Sequence, residues 1–166
     1  MKHNCGFACK INKSEQSEFQ LREVTDERYP QLIPFFIEND LEFSEDEPIS
    51  TDLIKGWELL RTKDEYLVGA CILAKRQGEY IIDGIAVDKE FRDIKAGKFL
   101  LDQAIEEVKA RSGKSIYLVA RAPEFFKKAG FRIALKEEAP NFFECLTCPQ
   151  YQVSCFPEIM KLEVSL

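Results

Sequence analysis

No run of apolar residues in this chain approaches the ~20 that a helix needs to cross a bilayer, so no membrane-spanning segment is expected. The opening residues, MKHNCGFACKINKSE, lack the apolar core of a secretory signal, and cytoplasmic residence is the expectation. Positive charge is in deficit: 23 Lys and Arg face 29 Asp and Glu, for a formal net charge of −6. That balance argues against nucleic acid as a partner. It also means that an anionic ligand must be held by a local basic site, not by the overall field.

What remains is 166 residues, the size of one ordinary domain with a real core. A hydrophobic fraction of 45% with 11% aromatics places it among globular chains. A single domain over 1–166 is expected, with 1–17 a polar arm and 139–157 a cysteine-containing insertion before the last strand.

The informative stretch runs from Glu79 to Phe131. Glu79–Val87 is an apolar, β-branched run with the pattern of a buried strand. A polar turn carrying Arg92, Lys95, Gly97 and Lys98 follows. Leu100, Leu101, Ala104, Ile105 and Val108 then recur at helical spacing, and Gly113 marks the stop. Ile116–Val119 is a second buried strand. In a strand–loop–helix unit of this kind the loop meets a helix N-terminus, whose orphan N–H groups and dipole favour a phosphate.

These residues resemble the acyl-CoA motif of the GNAT superfamily of N-acetyltransferases. The matching order is Ala86-Val87, Arg92-x-x-Lys95-x-Gly97 and a helix with Leu100-Leu101; in the family the loop wraps the coenzyme A pyrophosphate. Downstream, Ala122-Pro-Glu-Phe-Phe126-Lys-Lys-Ala-Gly130-Phe131 resembles the family's Ala-x-x-Phe-Tyr-x-x-x-Gly-Phe helix. Two positions depart from the pattern. Lys95 stands where the family has a loop glycine, exchanging a close backbone approach for a charge. Phe126 stands where the family has the tyrosine that often protonates the leaving thiolate.

The resemblance implies an α/β (α+β) GNAT fold: a mixed, mostly antiparallel sheet of about six to seven strands flanked by about four helices. It implies acetyl-CoA as co-substrate, held by Ile85, Ala86, Val87, Arg92, Asp93, Ile94, Lys95, Ala96, Gly97, Lys98 and Phe126. It also implies direct acetyl transfer to the primary amine of a small molecule or amino acid. Asp83 or Glu79 is expected as the base, with Glu124 third. Asp83 interrupts an apolar strand, with Ile81, Ile85 and Val87 expected on its side of the pleat. A homodimer is the candidate assembly.

Elsewhere, Phe19–Val24 reads as a first strand. Asp26 is a candidate cap for a helix to about Asn39, its apolar side being Leu32, Ile33, Phe35, Phe36 and Ile37. Pro34 is expected to kink that helix. Ile49–Lys55 is expected as a second short helix, and in the resembled family these two helices wall the acceptor site. Trp57–Arg61, Tyr66–Lys75 and Glu79–Val87 form an antiparallel meander, and Phe131–Leu135 with Ile159–Leu166 closes the sheet. Glu38 to Asp52 holds seven acidic residues and no Lys or Arg: either a solvated surface or a wall that attracts an amine.

Cys145, Cys148 and Cys155 fall as C-x2-C-x6-C. The first two have thiolate-knuckle spacing, with Cys5, Cys9 or the sole histidine, His3, needed to complete a tetrahedral site. Packed, reduced cysteines are the favoured reading, and no metal is expected. This tail resembles that of short N-acetylglutamate synthase-like members of the superfamily, which implies an amino-acid acceptor. Arg121 or Arg132 is the candidate for its carboxylate. Two other functions compete with the enzyme: a non-catalytic acyl-CoA-binding regulatory module, and a metal-binding interaction domain.

Overall fold

Alternation and turn chemistry lay down the sheet. A computed structural model describes residues 18–41, 53–135, 137–138 and 158–164. Strands β1 (Phe19–Val24), β2 (Leu53–Arg61), β3 (Tyr66–Arg76) and β4 (Glu79–Val87) form an antiparallel meander. The tight β3–β4 connection is Gln77-Gly78, both at positive φ (50° and 83°). That is the geometry a two-residue hairpin needs to match strand twist. β5 (Ser115–Ala120) pairs parallel to β4, β7 (Glu158–Glu163) antiparallel to β5, and the short β6 (Arg132–Ile133) lies outside β7. The seven-stranded order is β1-β2-β3-β4-β5-β7-β6, the mixed and mostly antiparallel sheet expected.

Three α-helices and one 3₁₀ segment accompany the sheet among the described residues: α1 (Tyr29–Glu38), the 3₁₀ turn Lys89–Ile94, α2 (Ala96–Ala110) and α3 (Pro123–Lys128). α2 presents Phe99, Leu100, Leu101, Ala104 and Val108 to Leu59, Cys71, Leu73, Ile82 and Leu118 on one sheet face. α1 covers the other face, where Tyr29, Leu32, Ile33 and Phe36 meet Val24, Ala70, Ile72 and Ala86. Leu32 and Phe36 are wholly buried, and each such burial contributes ~1.5–3 kcal/mol. No described helix is long and apolar enough to cross a membrane.

Some local expectations change. Leu53–Lys55 is strand, not helix: β3 runs on to Arg76, and Leu53 and Lys55 pair with Ala74 and Leu73, so ladder bonds outweigh local propensity. Asp26 does not cap α1; Arg28 is its N-cap residue and Thr25 Oγ1 accepts from the Arg28 N–H at 3.2 Å. Pro34 lies within α1, as expected, and the helix runs on to Glu38. Gly113 is demanded by space, because Ser112 takes the left-handed position after α2 (φ 60°). A Cβ on Gly113 would meet Val108 Cγ1 at 2.5 Å and Tyr80 at 2.8 Å.

Candidate active site

The site is built where β4 leaves β5. Their parallel pairing consists of Tyr80↔Ile116 and Ile81↔Tyr117. Beyond it β4 runs on to Val87 beside β3, and β5 to Ala120 beside β7, with no further pairing between the two. A β-bulge marks the parting. Ile72 opposes Gly84 and Leu73 opposes Ile82, so Asp83 has no partner on β3. The extra residue bends the strand and re-aims side chains. Asp83 therefore turns to the α1 face, whereas Ile85 and Val87 pack with the α2-side core. The expectation that all three share one side of the pleat is corrected by that bulge. Past Ile81, the β4 edge offers backbone N–H and C=O groups without a ladder partner, ready for an extended ligand.

At the far end of this edge lie Ile85, Ala86 and Val87, followed by the 3₁₀ turn that holds Arg92, Asp93 and Ile94. Asp88 caps the turn by accepting from the Glu90 N–H (2.9 Å) and from the Tyr66 hydroxyl (2.7 Å). That hydrogen bond to Asp88 raises the Tyr66 hydroxyl above the usual phenol range. Phe91 and Ile94 pack against the core and fix the turn from beneath, while Arg92 Nε donates to Val87 O at 3.4 Å.

Lys95 links the turn to α2 in the left-handed conformation (φ 59°, ψ 29°), the backbone state in which glycine is at ease. Its ammonium makes no hydrogen bond or ion pair with the described residues. Ala96 is buried, Gly97 is half-buried, and Lys98 is exposed with Asp102 as its ion-pair partner at 3.0 Å. The first turn of α2 has no acidic residue and no side-chain cap. Its dipole and N–H groups thus have no acidic side chain among them, and Arg92, Lys95 and Lys98 lie close by in the chain; the donor set suits a diphosphate.

α3 lies beside this cradle. Phe126 packs edge-to-face on Phe125 (5.0 Å) and Phe131 (5.8 Å) and belongs to the core margin. Phe125 is the ring that reaches Gly97. Glu124 is exposed and pairs with Lys127 at 3.2 Å.

The remaining candidate carboxylates and arginines are dispersed. Asp83 is mostly buried, accepts from the Tyr29 hydroxyl on Oδ2, and takes Arg76 on Oδ1 at 3.3 Å. Glu79 stands at the hairpin end of β4 opposite Arg76, remote from the cradle along the same strand. Arg121, just past β5, donates to Asp40 O at 2.8 Å. Arg132 spends its guanidinium on Glu138 and Glu163. The structure thus gathers Ile85–Val87 with Arg92–Lys98, places Asp83 at the parting, and leaves Glu79 and Arg132 apart.

Two groups carry no sequence assignment. Glu58, in the middle of β2, is a wholly buried carboxylate that accepts from Arg22 Nε (3.1 Å) and Arg28 Nε (2.7 Å). Tyr29 is the other. A charge inside the apolar run Trp57–Leu60 was the only available signal for Glu58; Tyr29 looked like one more helix aromatic. Cys71 is buried in the core, and burial pushes its thiol up. Cys5, Cys9, Cys145, Cys148, Cys155, His3 and the acidic run from Glu42 to Asp52 lie outside the described residues.

The acetyltransferase (GNAT) family matches residues 16–131. A GNAT-family acetyltransferase from Staphylococcus aureus Mu50 superposes with a TM-score of 0.68 at 20% identity, covering 89% of this chain and 99% of that one. The ribosomal-protein-S18-alanine N-acetyltransferase of Escherichia coli gives 0.66 at 17% identity, covering 89% and 95%. N-acetylglutamate synthase from Neisseria gonorrhoeae, solved with coenzyme A and N-acetyl-glutamate, gives 0.67 at 18% identity. There, 89% of this chain aligns with 35% of the larger protein. No curated protein matches the chain in sequence.

Proposed function

The chain belongs to the GNAT acetyltransferase family, and on that footing we propose that it moves an acetyl group from acetyl-CoA to a primary amine of a small molecule or amino acid. One observation carries this reading: β4 and β5 part after Ile81↔Tyr117 beside a cationic, acid-free helix N-terminus. Arg92, Lys95 and Lys98 with the first N–H groups of α2 would hold the diphosphate. The unpaired β4 edge from Asp83 to Val87 would receive the extended arm and align the thioester. An N–H of Ile85–Val87 is assigned the carbonyl oxygen, where negative charge develops as the amine attacks.

Asp83 is the favoured base, because it stands beside the parting; Glu79 and Glu124 rank behind it. When the acceptor is an amino acid, Arg121 at the C-terminal end of β5 is assigned its carboxylate. Phe126 donates no proton. A thiol ionises near pH 8.5, so the leaving thiolate departs near neutrality with little assistance.

A second reading, a non-catalytic acyl-CoA-binding module, draws support from Lys95 at the left-handed loop position and from Phe126 turned into the core margin. Two measurements separate them. Isothermal titration with acetyl-CoA and CoA is expected to show micromolar-range binding, and silence from both ends either reading. Thiol release screened against amino acids, polyamines and aminoglycosides is expected to be steady and lost in Asp83→Asn; binding without any release selects the module.

A further inference from the structure

We propose that Tyr29 is a positioning residue for the reaction: its hydroxyl, with Arg76, sets the direction in which the Asp83 carboxylate faces the parted strands. This inference rests on the acetyltransferase reading, and on geometry outside the cofactor cradle.

An aspartate on a strand bulge would turn freely about its last side-chain bond, whose preference is broad and two-fold. Here it cannot. Tyr29 donates to Oδ2 and Arg76 to Oδ1, so each oxygen is held by a donor from a different element, α1 and β3. A carboxylate has about four acceptor sites, and the two that remain are fixed in direction. The Asp83 side chain is 16% exposed, enough for an acceptor amine to reach it but too little for bulk water to solvate it on all sides.

The donor is itself fixed by the preceding residue. Arg28 ties the start of α1 to the buried Glu58 on β2, with Nη2 at 2.6 Å from Oε1. Tyr29, next in the chain, is 2% exposed and reaches past β3 to Asp83 on β4. The other end of α1 is held as well. Asp40 takes the left-handed position after the helix (φ 70°), Leu41 N bonds Phe36 O at 2.9 Å, and Arg121 donates to Asp40 O. α1 is thus fastened to β2 and β4 at its start and to the end of β5 at its finish. The strands that part are the strands it bridges. A hydroxyl carried on such a frame can hold an angle, which is what a base acting on a bound amine requires.

Tyr29→Phe removes the hydroxyl and keeps the ring in the core, so folding is expected to survive; Tyr80→Phe, on the opposite face beside Gly113, serves as the control. The expected result is a kcat lower by about 10- to 100-fold with KM for acetyl-CoA within about 2-fold of wild type, because misalignment affects turnover and not cofactor binding. Tyr80→Phe leaves both constants unchanged. An independent readout needs no turnover: urea unfolding of Tyr29→Phe, Asp83→Asn and the double variant. The double variant's unfolding constant is expected to differ from the product of the single effects by about 3-fold or more. A Tyr29→Phe enzyme with wild-type kcat, or single effects that simply multiply, overturns the positioning role alone. Absence of turnover in wild type with every acceptor overturns it together with the acetyltransferase reading, and titration with acetyl-CoA then tells whether binding survives.

Discussion

The ring of Phe125 lies over Gly97: a Cβ placed on Gly97 would stand 3.2 Å from Phe125 Cζ. The loop glycine and the short downstream helix are thereby joined in space at the mouth of the anion cradle. Phe125 is 40% exposed and can yield by a few tenths of an ångström. Gly97→Ala is therefore expected to leave stability unchanged or raise it by up to about 1 kcal/mol through helix propensity, with acetyl-CoA affinity within about 3-fold. Gly97→Leu fills the space over the first N–H groups of α2 and is expected to weaken acetyl-CoA by at least about 30-fold, roughly 2 kcal/mol. Calorimetric titration of both variants checks the pair.

Lys95 gives a prediction of opposite sign for stability and binding. It holds φ 59° without the freedom of glycine, a conformation that costs an L-residue ~1–2 kcal/mol. Lys95→Gly is expected to raise the unfolding midpoint by about 2–4 °C while weakening acetyl-CoA at low salt. Because one cation is gone, the dependence of Kd on ionic strength is also expected to flatten. Scanning calorimetry and a salt series measure these two effects separately.

Glu58 predicts a loss of stability. Its buried carboxylate joins Arg22 on β1 and Arg28 at the head of α1. Glu58→Gln takes the buried counter-charge from two partly exposed guanidinium groups, Arg22 keeping Glu65 at 3.9 Å, and a cost of about 1.5 kcal/mol follows. The urea midpoint is expected to fall with its slope unchanged. Catalysis is expected to fall as well, since α1 carries Tyr29.

Acid should loosen the β6–β7 corner. Arg132, foremost, together with the Leu135 N–H and Lys161, holds the Glu138 carboxyl at about 2 against an ordinary 4.5. A carboxyl depressed in the folded state contributes its stability above the ordinary value and loses it as pH falls from about 4.5 toward about 2. Glu138→Gln abolishes that contribution, so the two proteins should differ in midpoint at pH 6 and converge near pH 2. Thermal melts across the window read the convergence.

The limits of β4, Glu79–Val87, were legible from the chain, because a mostly apolar, β-branched run bounded by turn residues reads as a strand. So were the helix after it and the two loop motifs, since helical spacing and a short cationic turn are local properties. The start of β2 was not: Leu53–Lys55 is extended because β3 supplies partners that are distant in sequence. Nor was the face on which Asp83 lies, which depends on a bulge that only the β3 register reveals.

By itself, then, the sequence determined the family and most of the order of elements, and singled out the loop proposed here to hold the anion, all written in spacings of a few residues. Tertiary structure alone decided which groups meet Asp83. Tyr29 and Asp83 are 54 positions apart and Arg28 and Glu58 are 30 apart, and such pairs form only when strands take up register and a helix is laid across them. Hydrogen bonds act over about 3 Å, and no local pattern in a chain encodes a distance across a sheet.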